Sequence, residues 1–331
     1  MIFKESIEKL GFISEPISKD IDIKKEISRL KKEKNAIILA HFYQDDEIQE
    51  IADFVGDSLA LAQKAQNNSA DIIVFAGVNF MAETAKILSP HKKVLLPDLN
   101  AGCSLSDSCP PDEFKSFLEQ YPDHTVISYV NTSAAIKMLT DIVCTSSNAV
   151  QIIESLPKDE KIIFAPDRNL GAYISKLTQR EMVIWDGACT VHEKFSLEKI
   201  IQLKNENPHA KIIAHPECVE PILLISDYIG STSNLLQFSK QDSSDTYIVV
   251  TEPGILFKMQ QASPHKKFIP APPNDSTCAC NNCEFMRLIT LEKMYNTLKY
   301  ELPEIHLEKN VIELAKVPIL RMLEISEKLG L

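Results

Sequence analysis

Three short apolar runs, each ending in a ring-bearing polar residue, recur at nearly equal intervals, and this repetition restricts the available folds more than any other feature. Ile37-Ile38-Leu39-Ala40 leads to His41, Val126-Ile127-Ser128 to Tyr129 and Ile212-Ile213-Ala214 to His215, at separations of 88 and 86 residues. Short apolar runs with a polar exit predict buried strands. Twelve residues beyond each exit stands an aspartate (Asp53, Asp141, Asp227) followed by an apolar pair, and seventeen beyond stands a hydroxyl (Ser58, Ser146, Thr232). The residue two past each exit is also polar: Tyr43, Asn131 and Glu217. Offsets shared by three copies identify an internal repeat.

Each copy continues with a second strand (72–75, 161–164, 247–250), a helical stretch (82–88, 171–177, 254–260) and a third strand (94–96, 183–185, 268–269). Strands alternating with helices predict parallel sheets covered by helices. The expected fold is α/β, with three similar α/β/α domains related by a pseudo-threefold axis. Their expected spans are 36–110, 111–195 and 196–285. A lysine-rich lead-in, 1–35, carries Ile23, Ile27 and Leu30 at helical spacing, and the segment 286–331 has the pattern of helices packing on the core.

The 331 residues are 44% hydrophobic, enough for a large core and more than one unit. No run approaches the roughly 18 apolar residues of a membrane span, and the first residues lack a signal-peptide pattern. A cytoplasmic protein with reduced cysteines is therefore expected. A net charge of −11 argues against a nucleic-acid partner. It leaves small anions as ligands, bound by amides and helix ends.

Each repeat has a cysteine after its third strand: Cys103, Cys189 and one of the cluster Cys278-Ala279-Cys280-Asn281-Asn282-Cys283. In parallel α/β units this is where functional crevices form. Three thiolates from three units suit a soft metal centre, and a [4Fe–4S] cluster held by three cysteines leaves one iron open as a Lewis acid. Cys109, Cys144 and Cys218 read as small buried apolar residues. His41, Tyr129 and His215 are expected to encircle the same centre. Glu217, two residues from His215, suits proton transfer. Ser58, Ser146 and Thr232 each precede a helical run, where they serve as N-caps, as anion-binding hydroxyls, or as both. Thr145-Ser146-Ser147 and Ser231-Thr232-Ser233 are richest in donors and favoured for a phosphate.

Together, Ala40-His41-Phe42-Tyr43-Gln44, Gly56-Asp57-Ser58, Phe80-Met81-Ala82-Glu83-Thr84, Ala101-Gly102-Cys103-Ser104 and Cys144-Thr145-Ser146-Ser147-Asn148 resemble the quinolinate synthase family. So do Tyr129-Val130-Asn131, Pro166-Asp167-Arg168-Asn169-Leu170-Gly171, Gly187-Ala188-Cys189-Thr190-Val191-His192-Glu193, His215-Pro216-Glu217-Cys218 and Cys283-Glu284-Phe285-Met286. The resemblance implies three α/β domains around one [4Fe–4S] cluster with three cysteine ligands, and condensation of iminoaspartate with dihydroxyacetone phosphate to quinolinate in NAD biosynthesis. An aspartate oxidase is a candidate for functional coupling. The family pattern places the third ligand on Cys283, beside Cys103 and Cys189. Some members have CxxCxxC where this chain has CxCxxC, and Cys278 and Cys280 receive no assigned chemistry beyond structure or redox pairing with Cys283. Catalytic roles fall on Glu217 as base and on Tyr43 and His41 for proton transfer and triose isomerisation. Tyr129, Asn131, Ser146 and His215 are expected to orient carboxylates, Ser231 and Thr232 to hold a phosphate or carboxylate, and Ser58 to bind substrate. Two other readings stay open: an aconitase-like hydro-lyase and an iron–sulfur electron carrier or sensor.

Overall fold

The computed structural model describes residues 3–275 and 281–330. Cys278 and Cys280 lie outside the described residues. Twelve strands form three four-stranded sheets. The first holds β1 (Ala36–His41), β2 (Phe54–Gly56), β3 (Ile72–Ala76) and β4 (Lys93–Leu95). The second holds β5 (Thr125–Tyr129), β6 (Ile142–Cys144), β7 (Ile162–Ala165) and β8 (Met182–Ile184). The third holds β9 (Lys211–Ala214), β10 (Tyr228–Ile229), β11 (Thr246–Val250) and β12 (Lys267–Pro270). Every pairing within the sheets is parallel, and the orders β2-β1-β3-β4, β6-β5-β7-β8 and β10-β9-β11-β12 are the same path walked three times.

The register repeats as well: Leu39 pairs with Phe54, Ile127 with Ile142 and Ile213 with Tyr228. Sequence periodicity gives three strands per unit, and each sheet has a fourth: β2, β6 and β10, formed by the apolar pair after the repeat aspartate. Two or three residues are too few to show a period. The aspartate itself supplies the missing hold. The carboxylates of Asp53, Asp141 and Asp227 accept the backbone N–H of Ile38, Val126 and Ile212 at 2.7, 2.9 and 2.8 Å. The main-chain N–H of each aspartate donates to the carbonyl of that same residue at 3.0, 2.9 and 2.8 Å. The reciprocal pair satisfies strand groups that a two-residue ladder leaves open.

β1, β3, β5 and β7 are buried almost throughout, as expected of parallel strands covered on both faces. The helical stretches expected between second and third strands are Asn79–Leu88, Arg168–Thr178 and Ile255–Ala262. Helices Ser58–Gln66 and Thr232–Gln241 start at the repeat hydroxyls, and the caps fall one residue earlier. Asp57 accepts from Ala60 N at 3.1 Å and Ser231 from Asn234 N at 3.2 Å. In the second repeat the helix begins later, at Ala149, after Asn148 has accepted the Thr145 N–H at 2.6 Å. None of Ser58, Ser146 and Thr232 is an N-cap, which corrects that reading: Ser58 and Thr232 stand one residue inside the cap and Ser146 two before it.

The chain divides into two compact units. One comprises Met1–Cys103, Ser133–Met138 and Glu284–Lys316, with the first sheet; the other comprises Ser104–Thr132, Leu139–Cys283 and Val317–Leu331, with the second and third sheets. In the first, the lead-in forms the helix Ile23–Glu33, with Ile27 and Leu30 buried and Asp22 as its cap. The helix Leu291–Tyr300 packs on it, and Asn296 holds the Ile13 and Glu15 carbonyls at 3.3 and 2.9 Å. Glu304 bridges antiparallel to Leu95 at the sheet edge. In the second, Ser326 on the helix Lys309–Leu329 meets Asn148 Nδ2 at 2.9 Å. Among the described residues no helix is long and apolar enough to cross a membrane.

Removing the carboxylate of Asp227 leaves the Ile212 N–H without its acceptor. D227A should cost about 1–2 kcal/mol of stability, and D227N, which keeps an oxygen, clearly less. Urea denaturation checks both.

Candidate active site

The second compact unit gathers most of the expected site around one carboxylate. β9 ends at Ala214, and His215-Pro216-Glu217 turns the chain across the sheet edge, where Cys218 N donates to the His215 carbonyl at 3.0 Å. Glu217 is 3% exposed. Tyr129, at the exit of β5, donates its hydroxyl to Glu217 Oε1 at 2.7 Å. On the other side His192 Nδ1 stands 3.0 Å from Oε2, close but off the ideal line of a ring N–H, and His192 Nε2 lies 3.0 Å from the Thr251 hydroxyl. The His192 and His215 rings stack at 4.7 Å. Asn169 holds the Glu217 carbonyl at 3.2 Å.

Backbone geometry sets the state of His215. Its Nδ1 faces the Glu217 N–H at 3.4 Å and acts as acceptor, which leaves the proton on Nε2, 3.2 Å from Ser146 Oγ. The same turn occurs in the first unit, where His41 Nδ1 accepts from Tyr43 N at 3.2 Å and the His41 and Tyr43 rings meet edge to face at 4.4 Å. In both histidines Nδ1 is therefore the acceptor, which leaves the N–H on Nε2.

Two buried carboxyls divide one charge. Burial opposes ionisation of Glu217, but the adjacent His192 ring and the hydrogen bond from Tyr129 outweigh it and hold Glu217 below the usual carboxylate range. Asp167 goes the other way. Burial, then the charge of Glu217, push it well above its ordinary value, partly offset by N–H groups of Leu170, Cys189 and Asn169. One ionised and one protonated carboxyl side by side is a recurring arrangement of acid–base sites.

The hydroxyls form a second group. Ser147 Oγ donates to Ser231 Oγ at 2.8 Å, so the Thr145-Ser146-Ser147 loop faces the start of the helix Thr232–Gln241. Ser231 and Thr232 are both buried. Asn131 Oδ1 is buried with no hydrogen-bond partner among the described residues, an open acceptor at the expected substrate position.

In the first unit Ser58 opens the helix Ser58–Gln66. Cys103 follows β4, and near it lies a group without a sequence forecast. Lys137 is fully buried, 5.6 Å from the Phe80 ring. Burial lowers it to about 8, against the pull of Glu83 and Cys103. Glu83 is raised by burial, against Lys137 and the Ala134 N–H at 2.8 Å. A lysine inside the apolar stretch Ala134-Ala135-Ile136-Lys137-Met138-Leu139 was the available signal. His192 was likewise legible as Cys189-Thr190-Val191-His192, since residues three apart share a helix face. Cys189 precedes the helix Thr190–Glu193, and Cys189 Sγ, a His192 ring nitrogen and a Glu217 oxygen all lie within 4.8 Å of one another.

The described thiols fall into two groups. Cys109, Cys144 and Cys218 are buried, and burial raises all three, Cys109 to about 12. A thiol kept protonated is a poor metal ligand. Cys103, Cys189 and Cys283 are half-buried. Accessible thiols with a cation beside one of them have the donor chemistry of an iron–sulfur site, so these residues fit the cluster that the sequence resemblance implies.

The opposed shifts make a pH prediction for the metal-free protein. Asp167 keeps in the folded state a proton that the unfolded chain releases near its ordinary value of about 3.9. Its contribution is present below that value and is lost as pH rises toward the elevated folded value. D167N carries no such loss, so the stability of the variant relative to the parent should grow from pH 5 to pH 8 in denaturation midpoints. Glu217 has the opposite sign: its contribution is lost as pH falls below the ordinary carboxylate range.

Residues 25–324 match the family model described as NadA, quinolinate synthetase A protein. A quinolinate synthase of Thermosynechococcus vestitus is 58% identical over 92% of this chain and 96% of its own length. One of Rippkaea orientalis is 58% identical over 92% and 94%, and one of Trichormus variabilis 56% over 95% and 96%. With that family model spanning nine-tenths of the sequence, and relatives 56–58% identical over more than nine-tenths of it, the chain belongs to the quinolinate synthetase A family.

Proposed function

We propose that the chain condenses iminoaspartate with dihydroxyacetone phosphate to quinolinate, releasing phosphate and water, as a cytoplasmic step of NAD biosynthesis. The observation that carries this reading is an ionised, enclosed Glu217 within reach of the Cys189 thiol and ringed by Tyr129, His192 and His215. An electron carrier has no use for a buried base beside its metal ligand. Family membership with curated quinolinate synthases weighs against a hydro-lyase of the aconitase type.

Cys103, Cys189 and Cys283 would hold a [4Fe–4S] cluster. When bound, it supplies a Lewis-acid iron with one open position, able to polarise a substrate oxygen or nitrogen. Glu217 accepts the proton released at substrate carbon, with His192 3.0 Å away and backed by Thr251 to orient the carboxylate. Tyr129, Asn131, Ser146 and the Nε2–H of His215 orient the carboxylates of iminoaspartate. Ser231 and Thr232, with Ser147 facing them, receive the phosphate or a carboxylate at the helix start, where free amides favour an anion. Tyr43 and His41 move protons during triose isomerisation, and Ser58 contributes a hydroxyl to substrate. Iminoaspartate must be made by oxidation of aspartate, so an aspartate oxidase is the partner the chemistry calls for.

After anaerobic reconstitution the protein should form quinolinate from the two substrates; an intact cluster without product would sink the reading. E217Q should keep the cluster absorbance and lose turnover to background. Among single Cys-to-Ala changes at all eight cysteines, loss of that absorbance is expected at Cys103, Cys189 and Cys283 alone.

A further inference from the structure

Two buried carboxyl groups stand at equivalent points of the repeat, two residues past the ends of β7 and β11. They are Asp167 after β7 and Glu252 after β11, both fully buried. Each meets the backbone of a cysteine remote in sequence. The Cys189 main chain lies against the Asp167 carboxyl, whose Oδ2 has no hydrogen-bond partner among the described residues, whereas Glu252 Oε1 accepts the Cys283 N–H at 3.3 Å. Each is also tied to its own turn: Asp167 Oδ1 accepts from Leu170 N at 2.7 Å and Glu252 Oε2 from Gly254 N at 2.7 Å. For Cys189 the approach is forced by the chain. Asp167 bridges in parallel to Gly187, with Arg168 N to Gly187 O at 2.8 Å and Gly187 N to Pro166 O at 3.1 Å. A Cβ on Gly187 would sit 2.5 Å from the Pro166 carbonyl oxygen, so only glycine permits this contact. The first repeat has Val78 at the matching position, and there a main-chain bond, Asn79 N donating to Ala101 O at 2.7 Å, ties the two loops.

We propose that Glu252 is a positioning residue that locks the main chain at Cys283, so that this thiol is presented in a set orientation to the cluster. The proposal rests on the ligand assignment given under the proposed function. A carboxylate offers two acceptor oxygens to two N–H donors, which neither an amide nor a hydroxyl does. Partners of this kind behind metal ligands change metal retention by about 10–100-fold when removed.

Glu252→Gln tests it, because an amide oxygen serves only one of the two N–H groups. The shorter bond to Gly254 should keep it, leaving the side-chain NH2 against the Cys283 N–H, donor to donor. In cluster-free E252Q, hydrogen exchange of the peptide holding the Cys283 amide should quicken at least tenfold, with β11 unchanged. In reconstituted E252Q, iron release to a chelator should be about 10–100-fold faster than in the parent, at an unchanged urea midpoint. Parent-like exchange or parent-like iron release overturns the proposal. Should E252Q fail to fold, E252D, whose shorter arm reaches Gly254 and not Cys283, gives the same two readings. If the parent itself takes up no cluster, the proposed function fails, and the exchange measurement alone decides the tie between Glu252 and Cys283.

Discussion

A carboxylate sealed from water stays ionised only if donors surround it, and Glu217 is such a group. Its donor Tyr129 and its two neighbouring rings come from separate parts of the chain. Tyr129 arrives from the exit of β5, His192 from the helix after Cys189, and His215 from Glu217's own turn. Satisfying one charge therefore ties the second sheet to the third and fixes the position of the Cys189 thiol beside it. The neighbouring Asp167 pays with its own ionisation, and two charges that could not both be buried become one.

Parallel topology made much of this readable. When strands of like direction end at one edge, their exit residues share an environment, and His41, Tyr129 and His215 could be aligned by counting. The same counting found the aspartates, whose task proves to be holding the edge strands β2, β6 and β10. Those strands were not legible, because a run of two or three residues carries no period and is specified by a side chain reaching back to the main chain. The caps were displaced by one residue for a related reason. Asp57 and Ser231 compete with the adjacent hydroxyls for the same helix start, and only the backbone angles decide between them.

What stayed hidden in the site has a common cause. Lys137, Glu252 and Asp167 act through partners tens of residues away, and a lone charged residue in an apolar stretch does not announce its partner. The repeats are alike in backbone and unlike in charge. A cation stands by Cys103, whereas a carboxylate holds the main chain of Cys283. Duplicated units that keep their strands can still diverge at the turns, where the cost of change is low.

The first compact unit joins residues from both ends of the chain, with Glu304 on the edge of a sheet begun at Ala36, and the second needs Ser326 to meet Asn148. Neither unit can close from local segments alone: each waits for residues more than 170 positions further along the sequence.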